Sequence, residues 1–140
     1  MTPEQNKQAV IHAWKTFASR DPQLIGEAFR ADAEWLAPLG NATAVALHSG
    51  SRMVGRERIV RFLTEEFHTL FVADVTVEWR SLCADGDTVI MEHRFQGTLA
   101  SGGHYDNDYA FFIEMKNGQI HRLREYMDTQ RGRQMIFGGA

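Results

Sequence analysis

Cysteine is nearly absent from this chain: Cys83 stands alone among 140 residues. A single thiol excludes an internal disulfide, and with it the cross-linked frameworks of small secreted domains. Proline is scarce too, at three residues, so little interrupts long helices or strands. No apolar run approaches the ~20 residues of a membrane-spanning helix, and the polar start MTPEQNKQ does not read as a secretion signal. Charge of one sign is also lacking. Fifteen Lys and Arg stand against 18 Asp and Glu, a formal net charge of -3, and the arginines alternate with acids. That leaves no basic stripe for a nucleic acid and no electrostatic case for an anionic membrane. Internal repeats, linkers and low-complexity segments are missing as well. The expectation is one domain over residues 1–140, of ordinary globular composition, in the cytoplasm.

Turn-forming residues, by contrast, recur in the second half. The run VTVEWRSLC-ADGD-TVIMEHRFQGTL-ASGG-HYDNDYAFFIEM-KNGQ-IHRLREYMD extends from Val75 to Asp128. Asp85-Gly86 and Asn117-Gly118 supply the positive φ angles that two-residue turns require, and Gly102-Gly103 can do the same. The spacing predicts four long strands side by side in an antiparallel meander. A side-chain period of two sends alternate residues to opposite faces. The odd positions are the oily set: Val75, Val77, Trp79 and Cys83; then Val89, Met91, His93 and Phe95; then Tyr105, Asn107, Tyr109 and Phe111; then His121, Leu123, Glu125 and Met127. Cys83 reads there as a small buried apolar group. The even positions carry ladders of Glu, Arg, Asp and Gln, interrupted by Leu82, Ile90, Phe112 and Tyr126. Such a face is too apolar for plain exposure and suits a homodimer interface.

The first half reads as helical. Thr2-Pro3-Glu4-Gln5 combines a capping Thr, a proline at the first helical position and a Gln three residues after the cap. Val10, Trp14 and Phe17 follow at helical spacing. Asp21-Pro22 starts a second, short helix through Leu24, Ala28 and Phe29. Ala33 to Ala37 predicts a short strand carrying Trp35. Pro38 to Met53 has no period and is rich in Gly, Ala and Ser. It reads as a loop, with Leu39–Arg52 a candidate flap over a pocket. A third helix is predicted from Gly55 to Leu70, with Ile59, Phe62, Leu63, Phe67 and Leu70 on its apolar stripe. Helices against the oily face of an antiparallel sheet make an α+β fold.

A polar group on an otherwise apolar concave face marks where a ligand site would lie. His93, Asn107, Tyr109 and Glu125 are such groups. Poor hydration disfavours the charged form of Glu125 and raises its basicity. A neighbouring His93 can share the proton or hold a substrate carbonyl, and Asn107 and Tyr109 can donate to a developing enolate. The set suits proton abstraction beside a carbonyl, with Glu125 and His93 catalytic and no cofactor required. Trp14, Trp35, Trp79, Leu123 and Met127 supply apolar wall for a small hydrophobic molecule. Each residue also has a plainer reading. Glu125 can pair with Arg122, Arg124 or a histidine, His93 can be a hydrogen-bonded core residue, Asn107 can hold backbone, and the aromatics can be core. His104, Asp106 and Asp108 alternate on the even face without a fourth convergent ligand, so no metal site is expected.

With these residues set out, the chain resembles the SnoaL-like branch of the nuclear transport factor 2-like (NTF2-like) superfamily. Two stretches carry the resemblance. One is VGRERIVRF at Val54–Phe62; the other is the Tyr-x-Asn-x-Tyr, Asn-Gly-x-Ile and Glu-Tyr-x-Asp pattern within Tyr105–Thr129. The superfamily includes ketosteroid isomerases, limonene-epoxide hydrolases and polyketide cyclases. The resemblance implies a cone of curved antiparallel sheet packed against three helices, a ligand cavity inside it, and dimers joined through the outer sheet face. It implies, further, a cofactor-independent isomerase or cyclase acting on a polyketide- or steroid-like carbonyl compound, with Glu125 as base. In limonene-epoxide hydrolases an Asp just before an aromatic residue on the last long strand helps to activate water. Glu125 before Tyr126 occupies that place, but the companion Arg-x-Asp is not reproduced; His93 and Arg94 are nearest. Where ketosteroid isomerases carry an oxyanion-binding tyrosine on the first helix, Trp14 or His12 stands here. Two alternatives accompany the isomerase or cyclase: a non-catalytic ligand-binding or dimeric interaction module, and epoxide-hydrolase-like water activation.

Overall fold

A computed structural model of the protein describes residues 1–138. Helix α1 (Pro3–Ser19) opens on the expected capping box: the Thr2 hydroxyl accepts from the Gln5 N–H at 3.1 Å, and the Gln5 side chain accepts from the Thr2 N–H at 2.9 Å. Arg20, in the left-handed conformation, ends it. Asp21 caps α2 (Pro22–Glu27) by accepting from the backbone N–H groups of Gln23 and Leu24. Strand β1 (Phe29–Leu36) starts four residues earlier than the sequence suggests, taking Phe29 out of the helix. The Phe29 ring is fully buried and stacks on Phe17, 5.8 Å between centroids. Burial decides the matter there, against helical spacing.

Pro38 to Met53 is not one irregular loop. It holds α3 (Ala42–Leu47), capped by the Asn41 side chain, and β2 (Arg52–Val54), antiparallel to β1. Six largely small residues and a three-residue strand are too short to show a period. The third predicted helix is α4 (Arg56–Arg61), which runs through a π turn (Phe62–Glu66) into α5 (Phe67–Leu70). Strands β3 (Phe71–Asp85), β4 (Thr88–Leu99), β5 (His104–Lys116) and β6 (Gln119–Met127) form the meander. A further helix, α6 (Thr129–Phe137), follows a cap at Asp128, so the count of three helices falls short by α3 and α6.

The six strands make one curved, unclosed sheet in the order β2-β1-β6-β5-β4-β3. It is antiparallel except for the parallel pair β1–β6. Asn117 and Gly118 both take positive φ in the β5–β6 turn, as predicted. The β3–β4 turn lies one residue later than predicted, at Gly86-Asp87.

Parity holds along β4 and β5, where every odd position from Val89 to Leu99 and from Tyr105 to Met115 is buried. It fails in the second half of β3. A bulge between Trp79 and Ser81 slips the register, so Leu82 and Ala84 turn inward and Cys83 is exposed. Cys83 is therefore not the buried group that parity placed there. A second irregularity, opposite Glu114 and Met115, buries Ile120 in place of His121. The core lies between the concave face and the helices. Its fully buried side chains include Phe29, Phe71, Tyr105, Met91, Ile113 and Leu123, each stabilising by roughly 1.5–3 kcal/mol. On the outer face Arg94 grips Asp106 through two hydrogen bonds of 2.8 and 2.6 Å, and Arg80 reaches Asp108 at 2.7 Å. Among the described residues, no helix is long and apolar enough to cross a membrane.

Candidate functional site

Between the concave face and the helices lies a cavity of about 310 Å³. Its wall is aromatic: Trp14 and Phe17 come from α1, Phe62 and Phe67 from the third helix, and Phe95 and Phe111 from the sheet. An outer groove of about 680 Å³ runs between α2 and α4, but its charged lining (Glu27, Glu57, Arg61 and Glu65) lies open to solvent. Desolvation, the condition for unusual acid–base chemistry, belongs to the inner cavity.

Five of the residues singled out in the sequence meet there: Glu125, His93, Tyr109, Trp14 and Trp35. The register explains the first pairing. Parallel β1 and β6 set Trp35 beside Leu123, and the Trp35 Nε1–H donates to Glu125 Oε1 at 2.8 Å. Glu125 is half-buried and keeps some surface open to the cavity. Burial pushes its carboxyl up to about 7, and the Trp35 hydrogen bond offsets part of that rise. Neither Arg122 nor Arg124 reaches it; both turn to Glu114 on the outer face.

His93 is 3% exposed, and its Nδ1 has no hydrogen-bond partner among the described residues. Burial lowers its pKa to about 4, so the imidazole is neutral near pH 7. It is not a neighbour of Glu125. His93 pairs with Tyr109 across β4–β5, and Glu125 pairs with Phe111 across β5–β6. Two strand spacings put roughly 10 Å between the backbones, and the Phe111 ring stands between, 5.3 Å from the His93 ring and 6.2 Å from Trp35. Among the described residues no hydrogen bond or ion pair joins the two side chains, so they do not share a proton. They can only act on different atoms of one ligand.

Four candidates lie off the wall. Asn107 is fully buried deeper in the cone. Its amide donates to the Tyr105 hydroxyl at 3.1 Å and the Asp128 carbonyl at 3.0 Å, and its oxygen accepts from the Asp108 N–H at 2.9 Å. It holds backbone, not substrate. Gly132 of α6 packs against this group, where a Cβ would stand 3.4 Å from both Asn107 Nδ2 and the Tyr105 oxygen, at the near edge of ordinary contact. Trp79 is 39% exposed on the edge strand β3, just before the bulge. Leu123 is sealed in the core, and Met127 packs beside Tyr105 and Gly132. Tyr109 does line the cavity, but its hydroxyl is bonded to that of Tyr105 at 2.6 Å, and burial raises both phenols, Tyr109 well above its usual range.

His68 and Thr43 line the cavity and were not singled out in the sequence. Thr43 sits on α3, which the sequence showed only as a loop, and His68 reaches the wall through the π turn. The outer trio of His104, Asp106 and Asp108 is engaged elsewhere: His104 with Gln96, Asp106 with Arg94, Asp108 with Arg80. Among the described residues, no cluster of three His, Cys, Asp or Glu is arranged to hold a metal ion.

Solved structures share this architecture. An NTF2-like protein of unknown function from Burkholderia pseudomallei is 17% identical, with 97% of this chain and 98% of that one covered and a TM-score of 0.82. TerC co-crystallised with polyporic acid is 21% identical over 95% and 98%, with a TM-score of 0.80. A protein with a ketosteroid isomerase-like fold from Catenulispora acidiphila, in complex with trimethylamine, is 20% identical over 98% and 95%, with a TM-score of 0.71. Likeness at these identities shows the fold alone. No curated protein matches the chain. The SnoaL-like domain family matches residues 10–123. By that match the chain belongs to the SnoaL-like domain family, and its curved sheet and helices have the NTF2-like fold of its structural neighbours.

Proposed function

We propose that the protein binds a small, flat, hydrophobic carbonyl compound in the cone and moves a proton on it with Glu125, as an isomerase or cyclase without a cofactor. The single observation behind this is the Glu125 carboxyl: poorly hydrated, tied among the described residues only to Trp35, and half-protonated near neutral pH. A group poised there can take a proton and return it. The carboxylate removes a proton from the carbon beside the carbonyl, and the electron pair moves to the carbonyl oxygen. Neutral His93 steadies the resulting enolate by donating an N–H from the far side of Phe111. Glu125 then returns the proton to another carbon, or the enolate carbon attacks a second carbonyl and closes a ring, the C=O π electrons going to that oxygen, which takes up the proton Glu125 holds. Relatives of this fold crystallised with polyporic acid and with trimethylamine support a cone that admits small organic molecules.

Proton abstraction is testable before the substrate is known. With 2-tetralone in D2O, the wild type should exchange the acidic C1 protons on the order of 100-fold faster than Glu125→Gln, the usual scale for one general base. Equal rates in the two proteins would remove Glu125 from any chemistry. Binding without exchange would favour the second reading, a non-catalytic carrier. One observation supports that carrier: among the described residues lining the cavity, Glu125 is the one carboxylate and no arginine is present. The same lining lacks the second acid and the arginine that epoxide-hydrolase-like water activation uses. On the outer face, half-exposed Tyr126 lies edge-on to Phe112 at 6.0 Å amid the arginine–carboxylate ladders, which supports packing against a second copy of the chain.

A further inference from the structure

Glu125 lines two spaces. Besides the main cavity it borders a side pocket of about 30 Å³, walled largely by α3, β2 and the loop that joins them. Trp35, Thr43 and Phe62 also line both, so the acid and its indole partner stand at the junction. The two spaces reach solvent in different places. The exposed lining of the main cavity is Ala18, at the end of α1, and Val75, on β3; that of the side pocket is Gly50, in the loop. They differ in chemistry too. The main wall is aromatic, whereas the side pocket gathers Thr43, Ser49, Ser51 and Asn41 around Glu125. The fold fixes its shape. Asn41 accepts from the Ala44 N–H at 3.0 Å and donates to the Pro38 carbonyl at 2.8 Å. The Ser49 N–H donates to the Ala44 carbonyl at 3.1 Å, and the Ser51 carbonyl accepts from the Ala37 N–H at 2.8 Å. Between them Gly50 turns the chain at φ 73°.

A volume of about 30 Å³ is one water molecule's share of the liquid, and a pocket with this many polar residues suits one. A flat ligand filling the main cavity shuts its mouth to water, while the side pocket still borders Glu125. We propose that the side pocket is a proton port, in which one water carries protons between Glu125 and solvent while the main cavity is occupied. The carboxyl gives its proton to the water oxygen as that water passes another proton outward. A solvent proton returns by the reverse path, and no net charge moves. The bound molecule then receives a solvent proton in place of its own. This rests on Glu125 being the base, and it states where the abstracted proton goes.

The probe is 2-tetralone at saturating concentration, so that weakened binding does not mimic a lost relay. Two quantities are read: deuterium uptake at C1 in D2O, and the primary isotope effect on washout from C1-deuterated 2-tetralone in H2O. In the wild type that isotope effect should be large, because the abstracted hydrogen is lost to solvent before it can return. Ala44→Val, which adds bulk to the pocket wall, should slow uptake on the order of tenfold and lower the isotope effect to about one, since the carbon then takes back its own hydrogen. Its affinity for 2-tetralone, followed by quenching of Trp14 and Trp35 in the main wall, should stay within about twofold. Ala44→Gly keeps the space and should behave as the wild type, while Ser51→Val should repeat the loss from the loop side. Unchanged uptake in either valine variant, or slower uptake with the isotope effect still large, overturns the port and leaves Glu125 as the base. A wild-type isotope effect already collapsed does the same. If the wild type exchanges no faster than Glu125→Gln, the base reading falls and the port falls with it.

Discussion

The two faces of the β3–β6 meander use alternate residues of the same strands, yet they treat charge in opposite ways. Outside, Arg94 holds Asp106, Arg80 holds Asp108 and Arg124 holds Glu114, all at least partly in reach of water. The Asp106 carboxyl is drawn below its usual value by Arg94, first through their hydrogen bonds. Inside, Glu125 and His93 stand without a counter-charge, and burial drives one up and the other down. Charge marks the outer face and withheld pairing marks the inner one. In this fold the second signal is the one that points to chemistry.

The sharpest way to break that contrast is by pH. The folded protein keeps a proton on Glu125 up to about 7, whereas the unfolded chain releases it near the ordinary value of 4.5. Wild-type stability therefore falls as pH rises from about 4.5 to 7, by about 3 kcal/mol for such a shift. For His93 the sign reverses. The unfolded chain takes up a proton near 6.5 that the folded protein refuses until about 4, so stability falls as pH drops through that window. Urea melts should show Glu125→Gln gaining on the wild type toward pH 8, and His93→Leu gaining toward pH 4, each by about 3 kcal/mol. Parallel curves for variant and wild type would place these groups in ordinary solvent.

On the outer face the effects are smaller. If a second copy packs there, Tyr126→Arg should weaken the dimer about tenfold or more, read by sedimentation velocity at micromolar concentration. A monomeric wild type ends that interface. The smallest effect belongs to the ladders. A double-mutant cycle on Arg94 and Asp106 should give about 1 kcal/mol or less, shrinking in molar salt. A coupling of several kcal/mol would mean the ladder is shut away from water, which is what a covering copy would do.

Local rules were readable in the sequence. The Thr2 box, the Asp21-Pro22 start, the Asn117-Gly118 turn and the parity of β4 and β5 each depend on a few adjacent residues, and each stands. Parity also put Glu125 and His93 on the inner face. Whatever depends on a distant partner was not readable. The Trp79 bulge arises from how β3 meets β4, and it turned Cys83 outward. The β1–β6 pairing runs parallel, the π turn redirects His68, and Asn107 finds its partners in Tyr105 and the Asp128 carbonyl. Trp35, the partner of Glu125, lies 90 residues before it.

That last separation bears on how the protein comes together. Strand β6 sits between β1, made early, and β5, made late, so it is the seam that joins the amino-terminal hairpin to the meander. Until Gln119–Met127 is inserted, β1 has no bridge to the rest of the sheet and Glu125 has no indole beside it. Assembly of the buried acid and closure of the fold are therefore one event. A partly folded chain would carry an ordinary, solvated glutamate, and the raised basicity of Glu125 arrives only with the finished sheet.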